Sequence, residues 1–156
     1  MKIIIGSDHA GYPLKELVRD YLLKAGHEVT DVGCHYENGE VTDPAQKNYP
    51  LVAEQVAVPV AAGDYERGIL ICGTGLGIGI SANKIPGIRC ATCTNHYEVR
   101  YTRLHNDANI LAMGARVIAP DVAYELVDIF LSTAFEGGRH QTRVDMIKGL
   151  EEKYHR

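Results

Sequence analysis

The chain has 156 residues, of which 46% are hydrophobic and 23% charged, and its formal net charge at pH 7 is −4. This composition fits one globular domain with a sizeable core and excludes a disordered chain. The 16 basic residues form no block of the kind that binds nucleic acid, and no apolar run approaches the ~20 residues that span a bilayer, so we expect neither a nucleic-acid nor a membrane partner.

The chain opens on a short apolar run, residues 2–6, which predicts a strand and is followed closely by Asp8 and His9. These two residues are either a ligand-facing pair or a polar turn before the helix expected over residues 13–25, where Pro13 suits the first turn. The acid at position 8 also breaks the apolar region that a secretory signal requires. We therefore expect a cytoplasmic protein whose four cysteines are reduced thiols.

Further short apolar runs alternate with helical patterns along the rest of the chain. Strands are predicted over residues 28–33, 68–72, 89–94 and 109–113, and helices over residues 51–62, 75–84, 97–105, 122–134 and from about residue 141. Such alternation is typical of βαβ units. It predicts one α/β domain over residues 1–156, a Rossmann-like three-layer fold with a five-stranded parallel sheet, and the strand order 2-1-3-4-5 is the expectation for it. Residues 34–49 are polar and aperiodic and predict a long surface loop.

Doubly wound sheets bind their ligands at the carboxyl ends of the strands, so the residues that follow the first and third strands are site candidates. Cys72 ends the third strand, and four glycines follow it at alternate positions, at 73, 75, 77 and 79. So many glycines before a helix indicate backbone that approaches a ligand closely, and N–H groups there would bind an anion. A thiol at a helix N-terminus is a usable base or nucleophile, and the alternative for Cys72 is a buried cysteine beside a tight turn.

Two short motifs are weak evidence for dinucleotide binding and for a zinc or redox site. The glycine run fails the strict dinucleotide pattern G-x-G-x-x-G from either of its first two glycines, because Ile78 and Ile80 stand where the third glycine belongs. Cys90 and Cys93 have C-x-x-C spacing, but residues three apart in a strand face opposite sides. That favours two packed thiols over a zinc or redox site.

Polar residues near the ends of two later helices are the remaining candidates. His105 is a general acid or base by residue type, although it and Asn106 are also plausible helix-ending residues. Arg139 and Arg143 are four apart and share a helix face, where like charges repel unless an anion such as phosphate lies between them. The alternative for this pair is a solvated basic face.

Several stretches of the sequence, taken together, match one known family. They are residues 6–11 (GSDHAG), Tyr49-Pro50, residues 68–78 (GILICGTGLGI), 82–84 (ANK), 105–109 (HNDAN) and 136–143 (EGGRHQTR). In these stretches the chain resembles the type B ribose-5-phosphate isomerases and the related galactose-6-phosphate and allose-6-phosphate isomerases, nearly from end to end. The resemblance implies an aldose–ketose isomerase with a five-stranded parallel sheet flanked by helices, and it implies no metal and no organic cofactor.

The resemblance also implies a role for each candidate. Cys72 would be the base beside the carbonyl carbon, Thr74 and the amides of residues 73–77 would hold the enediolate, and His105 would open the sugar ring. The implied substrate-binding residues are Asp8, His9, Tyr49, Gly73, Thr74, Gly75, Leu76, Gly77, Asn106, Arg116, Arg139 and Arg143. Of these, the hydroxyl ligands are Asp8 and Asn106, the phosphate ligands are His9 and the three arginines, and Tyr49 flanks the sugar.

Two departures from the family pattern leave the substrate open. Asn48 stands where the family often has Asp, and the segment over residues 34–47 is lengthened, both near the expected sugar position. Interconversion of ribose 5-phosphate and ribulose 5-phosphate is the leading expectation. The alternatives are the same chemistry on a hexose or modified sugar phosphate, of the allose 6-phosphate or galactose 6-phosphate type, and a non-catalytic nucleotide or metabolite sensor.

The direction of the fourth helix predicts the assembly. A helix of a βαβ unit runs back from the carboxyl edge of the sheet. Residues 97–105 at 1.5 Å each cover roughly 12–14 Å, which would carry His105 away from its own Cys72 at that edge. Because both residues are expected to serve one substrate, we expect a homodimer, or a dimer of dimers, with an active site shared between subunits. The alternative is a bent or shorter helix that keeps His105 near its own Cys72.

Overall fold

Helices cover both faces of one parallel sheet in the computed structural model, which describes residues 1–154. The elements are β1 (Lys2–Ser7), α1 (Tyr12–Lys24), β2 (Glu28–Asp31), β3 (Tyr36–Glu37), β4 (Glu40–Val41), a 3₁₀ helix (Pro44–Lys47), α2 (Tyr49–Ala62), β5 (Arg67–Cys72), α3 (Leu76–Ala82), β6 (Cys90–Thr92), α4 (His96–Asn106), β7 (Ile110–Gly114), α5 (Pro120–Ser132) and α6 (Arg139–Tyr154). The predicted α/β fold with a five-stranded parallel sheet is confirmed. Within residues 1–154, no helix combines the length and apolar content needed to cross a membrane.

The sheet has the order β2-β1-β5-β7-β6, and every neighbouring pair is parallel. Counted along the chain this is 2-1-3-5-4, so the expected order is wrong for the last two strands. All five residues of β7 are buried, whereas the three residues of β6 are partly exposed. The fully apolar strand therefore lies inside the sheet and the short strand at its edge. The first and third strands are neighbours as expected, with Ser7 opposite Ile71.

Side chains of β5 alternate between two hydrophobic clusters, one on each face of the sheet. Ile69 and Ile71 pack on the face covered by α1 and α5, and Leu70 and Cys72 pack on the face covered by α2 and α3. This alternation follows from the two-residue period of a strand. It directs the Cys72 side chain toward the start of α3.

Regular structure lies within residues 34–49, so the expectation of an aperiodic loop is wrong there. β3 and β4 form an antiparallel hairpin whose turn residues, Asn38 and Gly39, have φ of 52° and 84°. Asn-Gly is the pair that favours such turns, but strands of two residues are too short to show alternation in a sequence. Helix α2 begins at Tyr49, two residues before its predicted start, which places Tyr49 in a helical first turn.

Helix α4 runs from the carboxyl edge of the sheet to the amino edge. Arg89, which precedes β6, donates from Nε to the Asn106 carbonyl at 2.9 Å and from Nη2 to Asp107 Oδ2 at 3.0 Å. His105 therefore lies at the amino edge, whereas Cys72 ends β5 at the carboxyl edge. The six residues of β5 run between the two edges, and the steps from its first to its last residue, at ~3.3 Å each, add up to about 16 Å.

Candidate active site

Cys72 lies beneath the loop that joins β5 to α3. Its Sγ accepts a hydrogen bond from the Gly75 N–H at 3.1 Å, and the residue is buried. Gly75 has φ of +80°, in the left-handed region that favours glycine, and the loop there folds over the sulfur before α3 begins at Leu76. The Cys72 side chain thus packs in the hydrophobic cluster under α2 and α3, while its sulfur meets a polar backbone donor of the loop.

The same loop presents backbone donors without partners. Among residues 1–154, no protein acceptor pairs with the N–H groups of Gly73, Thr74 or Gly77. The Leu76 N–H is held by Thr74 Oγ1 at 3.3 Å. Unpaired N–H groups at a loop of this kind are suited to bind an oxyanion.

Two predicted side chains lie against this loop. A Cβ added at Gly73 would lie 3.4 Å from Arg116 Nη1, and the Arg116 N–H donates to the Gly73 carbonyl at 3.0 Å. A Cβ added at Gly77 would lie 2.8 Å from Tyr49 Cζ, so only glycine admits the Tyr49 ring there. The structure therefore brings Arg116 and Tyr49 together with the Cys72 loop.

Asp8 and His9 follow β1 at the same edge. Asp8 is buried, and its Oδ1 accepts the Gly11 N–H at 3.0 Å, so one carboxylate oxygen shapes the turn before α1. His9 is exposed and lines a cavity of about 480 Å³ together with Tyr36 and Lys47. This hydrogen bond agrees with a polar turn before α1, and the second carboxylate oxygen has no protein partner among the described residues.

The remaining predicted residues gather at the amino edge. The His105 ring stacks on His140 with 3.9 Å between centroids and 9° between planes. Oε2 of Glu136 lies 3.8 Å from His105 Nε2 and 3.3 Å from His140 Nε2. Sequence reasoning gave no role to Glu136 or His140, although both belong to the EGGRHQTR stretch.

Arginines surround this second group. Arg139 and Arg143 are exposed in the first turns of α6, and Arg139 Nε lies 3.4 Å from His140 Nε2. Within residues 1–154, no carboxylate lies within 4.0 Å of the guanidinium groups of Arg116, Arg139 or Arg143. Guanidinium groups that lack a carboxylate partner are suited to an anionic ligand such as phosphate.

The C-x-x-C pair holds ordinary thiols. All four cysteines are free, and desolvation raises the pKa of both Cys90 and Cys93 to about 12. Both are therefore neutral near pH 7, in agreement with the expectation of packed thiols. Desolvation also raises the pKa of the Cys34 thiol.

A thiol and an oxyanion loop at the carboxyl edge of a parallel α/β sheet, with guanidinium groups free to bind an anion, are typical of an enzyme that acts on a small anionic substrate. The chain belongs to the Ribose/Galactose Isomerase family, whose family model matches residues 3–147.

Relatives and solved structures agree with this membership. Ribose-5-phosphate isomerase B of Escherichia coli is 45% identical over 152 residues, which cover 97% of each chain. D-erythrulose-4-phosphate isomerase of Pectobacterium atrosepticum is 41% identical over 149 residues, covering 94% of this chain and 93% of the relative.

The solved structure of Clostridium thermocellum ribose-5-phosphate isomerase B has a TM-score of 0.91 and 52% identity, with 99% of each chain covered. The Mycoplasma genitalium ribose-5-phosphate isomerase B, solved with bound ribulose-5-phosphate, has a TM-score of 0.87 and 37% identity, with 97% of this chain and 96% of that chain covered.

Proposed function

We propose that this protein interconverts ribose 5-phosphate and ribulose 5-phosphate. The observation that carries the proposal is the Cys72 sulfur at 3.1 Å from the Gly75 N–H, beside a loop of unpaired amides at the carboxyl edge. A base next to preorganised oxyanion donors is what proton transfer beside a carbonyl requires. The relatives from E. coli and C. thermocellum carry the name of this activity, and the M. genitalium relative binds the ketose product.

The proposed reaction moves two protons and leaves the carbon chain intact. Once the ring is open, Cys72 as thiolate removes the proton on C2, and the electron pair passes to the carbonyl oxygen to form an enediolate. The unpaired N–H groups of Gly73, Thr74 and Gly77 within the loop of residues 73–77, together with the Thr74 side chain, hold that oxyanion. The proton returns from Cys72 to C1 while the O2 proton moves to O1, so the aldose becomes a ketose without any change in overall oxidation state.

In this scheme the substrate is bound by the residues at the carboxyl edge of the sheet together with those at the amino edge. His105 opens the furanose ring, Asp8 and Asn106 bind hydroxyl groups, and Tyr49 flanks the sugar. The phosphate is bound by His9 and Arg116 from the carboxyl edge and by Arg139 and Arg143 from the amino edge. No metal or organic cofactor takes part in this scheme.

The separation of the two groups supports a shared active site. Within one chain about 16 Å of sheet lies between Cys72 and the edge that holds His105, which is more than one five-carbon sugar spans. A symmetric homodimer, or a dimer of dimers, would bring the amino edge of one subunit to the carboxyl edge of its partner and form two equivalent sites.

Subunit mixing tests this arrangement. Cys72→Ala and His105→Ala chains, each inactive alone, are unfolded together and refolded. Half of the dimers are then mixed, and each mixed dimer has one site with both residues intact, so about a quarter of wild-type activity should return. Each variant refolded with itself is the control. Subunit exchange without any recovery of activity would place both residues in one chain.

We propose the cytoplasm as the location, since sugar phosphates are cytoplasmic metabolites and thiols stay reduced there. The four free cysteines, Cys72 among them, support this.

A panel of aldose and ketose phosphates, assayed in both directions with EDTA present, tests the proposed function. We expect the highest kcat/KM on ribose 5-phosphate and ribulose 5-phosphate, without added metal or nicotinamide. The panel includes allose 6-phosphate, galactose 6-phosphate and, because of the Pectobacterium relative, erythrulose 4-phosphate. A clear preference for one of these would replace the substrate and keep the chemistry. Binding without any turnover would instead favour the sensor.

A further inference from the structure

We propose that Glu136 and His140 are positioning residues for His105, with His140 as the platform on which the catalytic ring stacks and Glu136 as the carboxylate that orients that ring. The inference rests on the proposed role of His105 in opening the sugar ring. It adds two residues that touch neither Cys72 nor its loop.

Stacking fixes the plane of the His105 ring. His140 lies parallel to it at 3.9 Å, and Tyr101 meets it edge-on at 4.9 Å and 68°. His140 is buried, while the side chain of His105 is 33% exposed, so one ring is held by the protein and the other can reach a substrate. An imidazole between two aromatic neighbours keeps a narrow range of orientations.

Hydrogen bonds hold the segment that contains Glu136 against the end of α4. Its N–H donates to the Leu104 carbonyl at 3.1 Å, one residue before His105. The buried Arg103 donates from Nε to the Thr133 carbonyl at 3.2 Å and so attaches the same segment a second time. The backbone of Glu136 therefore occupies a position set by the fold, and its carboxylate lies 3.8 Å from His105 Nε2.

Charge distinguishes the two histidines. Two imidazolium rings 3.9 Å apart would repel each other. Burial, followed by the charges of His105 and Arg139, lowers the pKa of His140. The charged form of His140 is therefore disfavoured, which suits a ring that serves as a stacking platform.

The cluster is less suited to a metal ion. Ligand atoms of His105, Glu136 and His140 lie within 4.8 Å of one another, which is close enough for a cation. However, Arg139 directs its Nε–H at His140 Nε2, and Arg143 adds a second positive charge to the surroundings of His140. Guanidinium groups at this distance oppose a divalent cation and favour a hydrogen-bonded cluster that faces an anion.

The test compares the two directions of the reaction. Ribose 5-phosphate is a furanose that must open, whereas ribulose 5-phosphate has no ring because its C5 oxygen carries the phosphate. Glu136→Gln keeps the shape of the side chain and removes its charge. We expect kcat from ribose 5-phosphate to fall about tenfold, because the carboxylate charge 3.8 Å from His105 Nε2 is lost, while kcat from ribulose 5-phosphate stays unchanged.

Variants of His140 test the stacking of the two rings separately from the charge of Glu136. His140→Ala should show the same one-sided loss, and His140→Phe, which keeps a ring to stack on, should lose less. Glu125→Gln is the control, because Glu125 on α5 contacts His96 in an exposed pair at the first residue of α4, at the opposite end of that helix from His105. It should leave both rates unchanged.

Each outcome decides the inference. Equal losses in both directions for Glu136→Gln, with an unchanged circular dichroism spectrum and melting temperature, would reduce Glu136 to a structural role and overturn the proposal. An unchanged rate from ribose 5-phosphate would also overturn it. His105→Ala must itself show the one-sided loss. If it slows both directions equally, the ring-opening role fails and the inference fails with it, and that result is distinct from a failure of Glu136→Gln alone.

Discussion

Alanine in place of Cys72 should lower kcat by about 10²–10⁴-fold, the usual contribution of a positioned acid or base, and leave phosphate affinity nearly unchanged. In the proposed scheme the sulfur, 3.1 Å from the Gly75 N–H, acts on the reacting carbon only, and other residues bind the phosphate. A group that is used in the transition state alone affects kcat and spares ground-state binding.

The measurements are kcat in both directions and the inhibition constant of inorganic phosphate. Cys93→Ala is the matched control, because Cys93 is a buried thiol whose pKa is about 12 and which packs on the opposite face of the sheet. It should retain wild-type kcat. Turnover at the wild-type rate by Cys72→Ala would contradict the assignment of Cys72 as the base.

Removal of both Arg139 and Arg143 should raise KM by about 10²–10⁴-fold, since each charge-assisted hydrogen bond contributes ~1.5–3 kcal/mol. Both guanidinium groups are exposed and lack carboxylate partners among residues 1–154, so alanine at these positions leaves no buried carboxylate unpaired. The loss should appear mainly in binding, because the phosphate does not react.

The Arg139→Ala/Arg143→Ala protein is assayed for KM and for competitive inhibition by inorganic phosphate, and both constants should rise together. Arg19→Ala is the control: Arg19 is paired with Glu16 and Asp20 on α1, and its removal should change neither constant. If KM and the phosphate inhibition constant are unchanged in the double variant, the phosphate binds elsewhere.

The sequence predicted the strands and helices well because their signals are local. The period of apolar residues and the positions of Pro and Gly determine whether a segment is a strand or a helix, and the observed bounds differ from the predicted ones by one or two residues in most elements. The hairpin at Asn38 and Gly39 was missed because its strands have only two residues each. The place of Cys72 at the end of a buried strand could also be predicted, since the glycine run that follows it is visible in the sequence itself.

Tertiary structure decided how distant segments combine. The interior position of β7 depends on which strand buries more surface once the sheet is formed. The local sequence pattern of one strand does not show how its burial compares with that of another. The contact of Glu136 and His140 with His105 joins residues more than 30 positions apart, through α4 and α6 packing side by side. The residue types needed for the site are therefore determined by the sequence. Their division between two edges of the sheet follows only from the path of the folded chain.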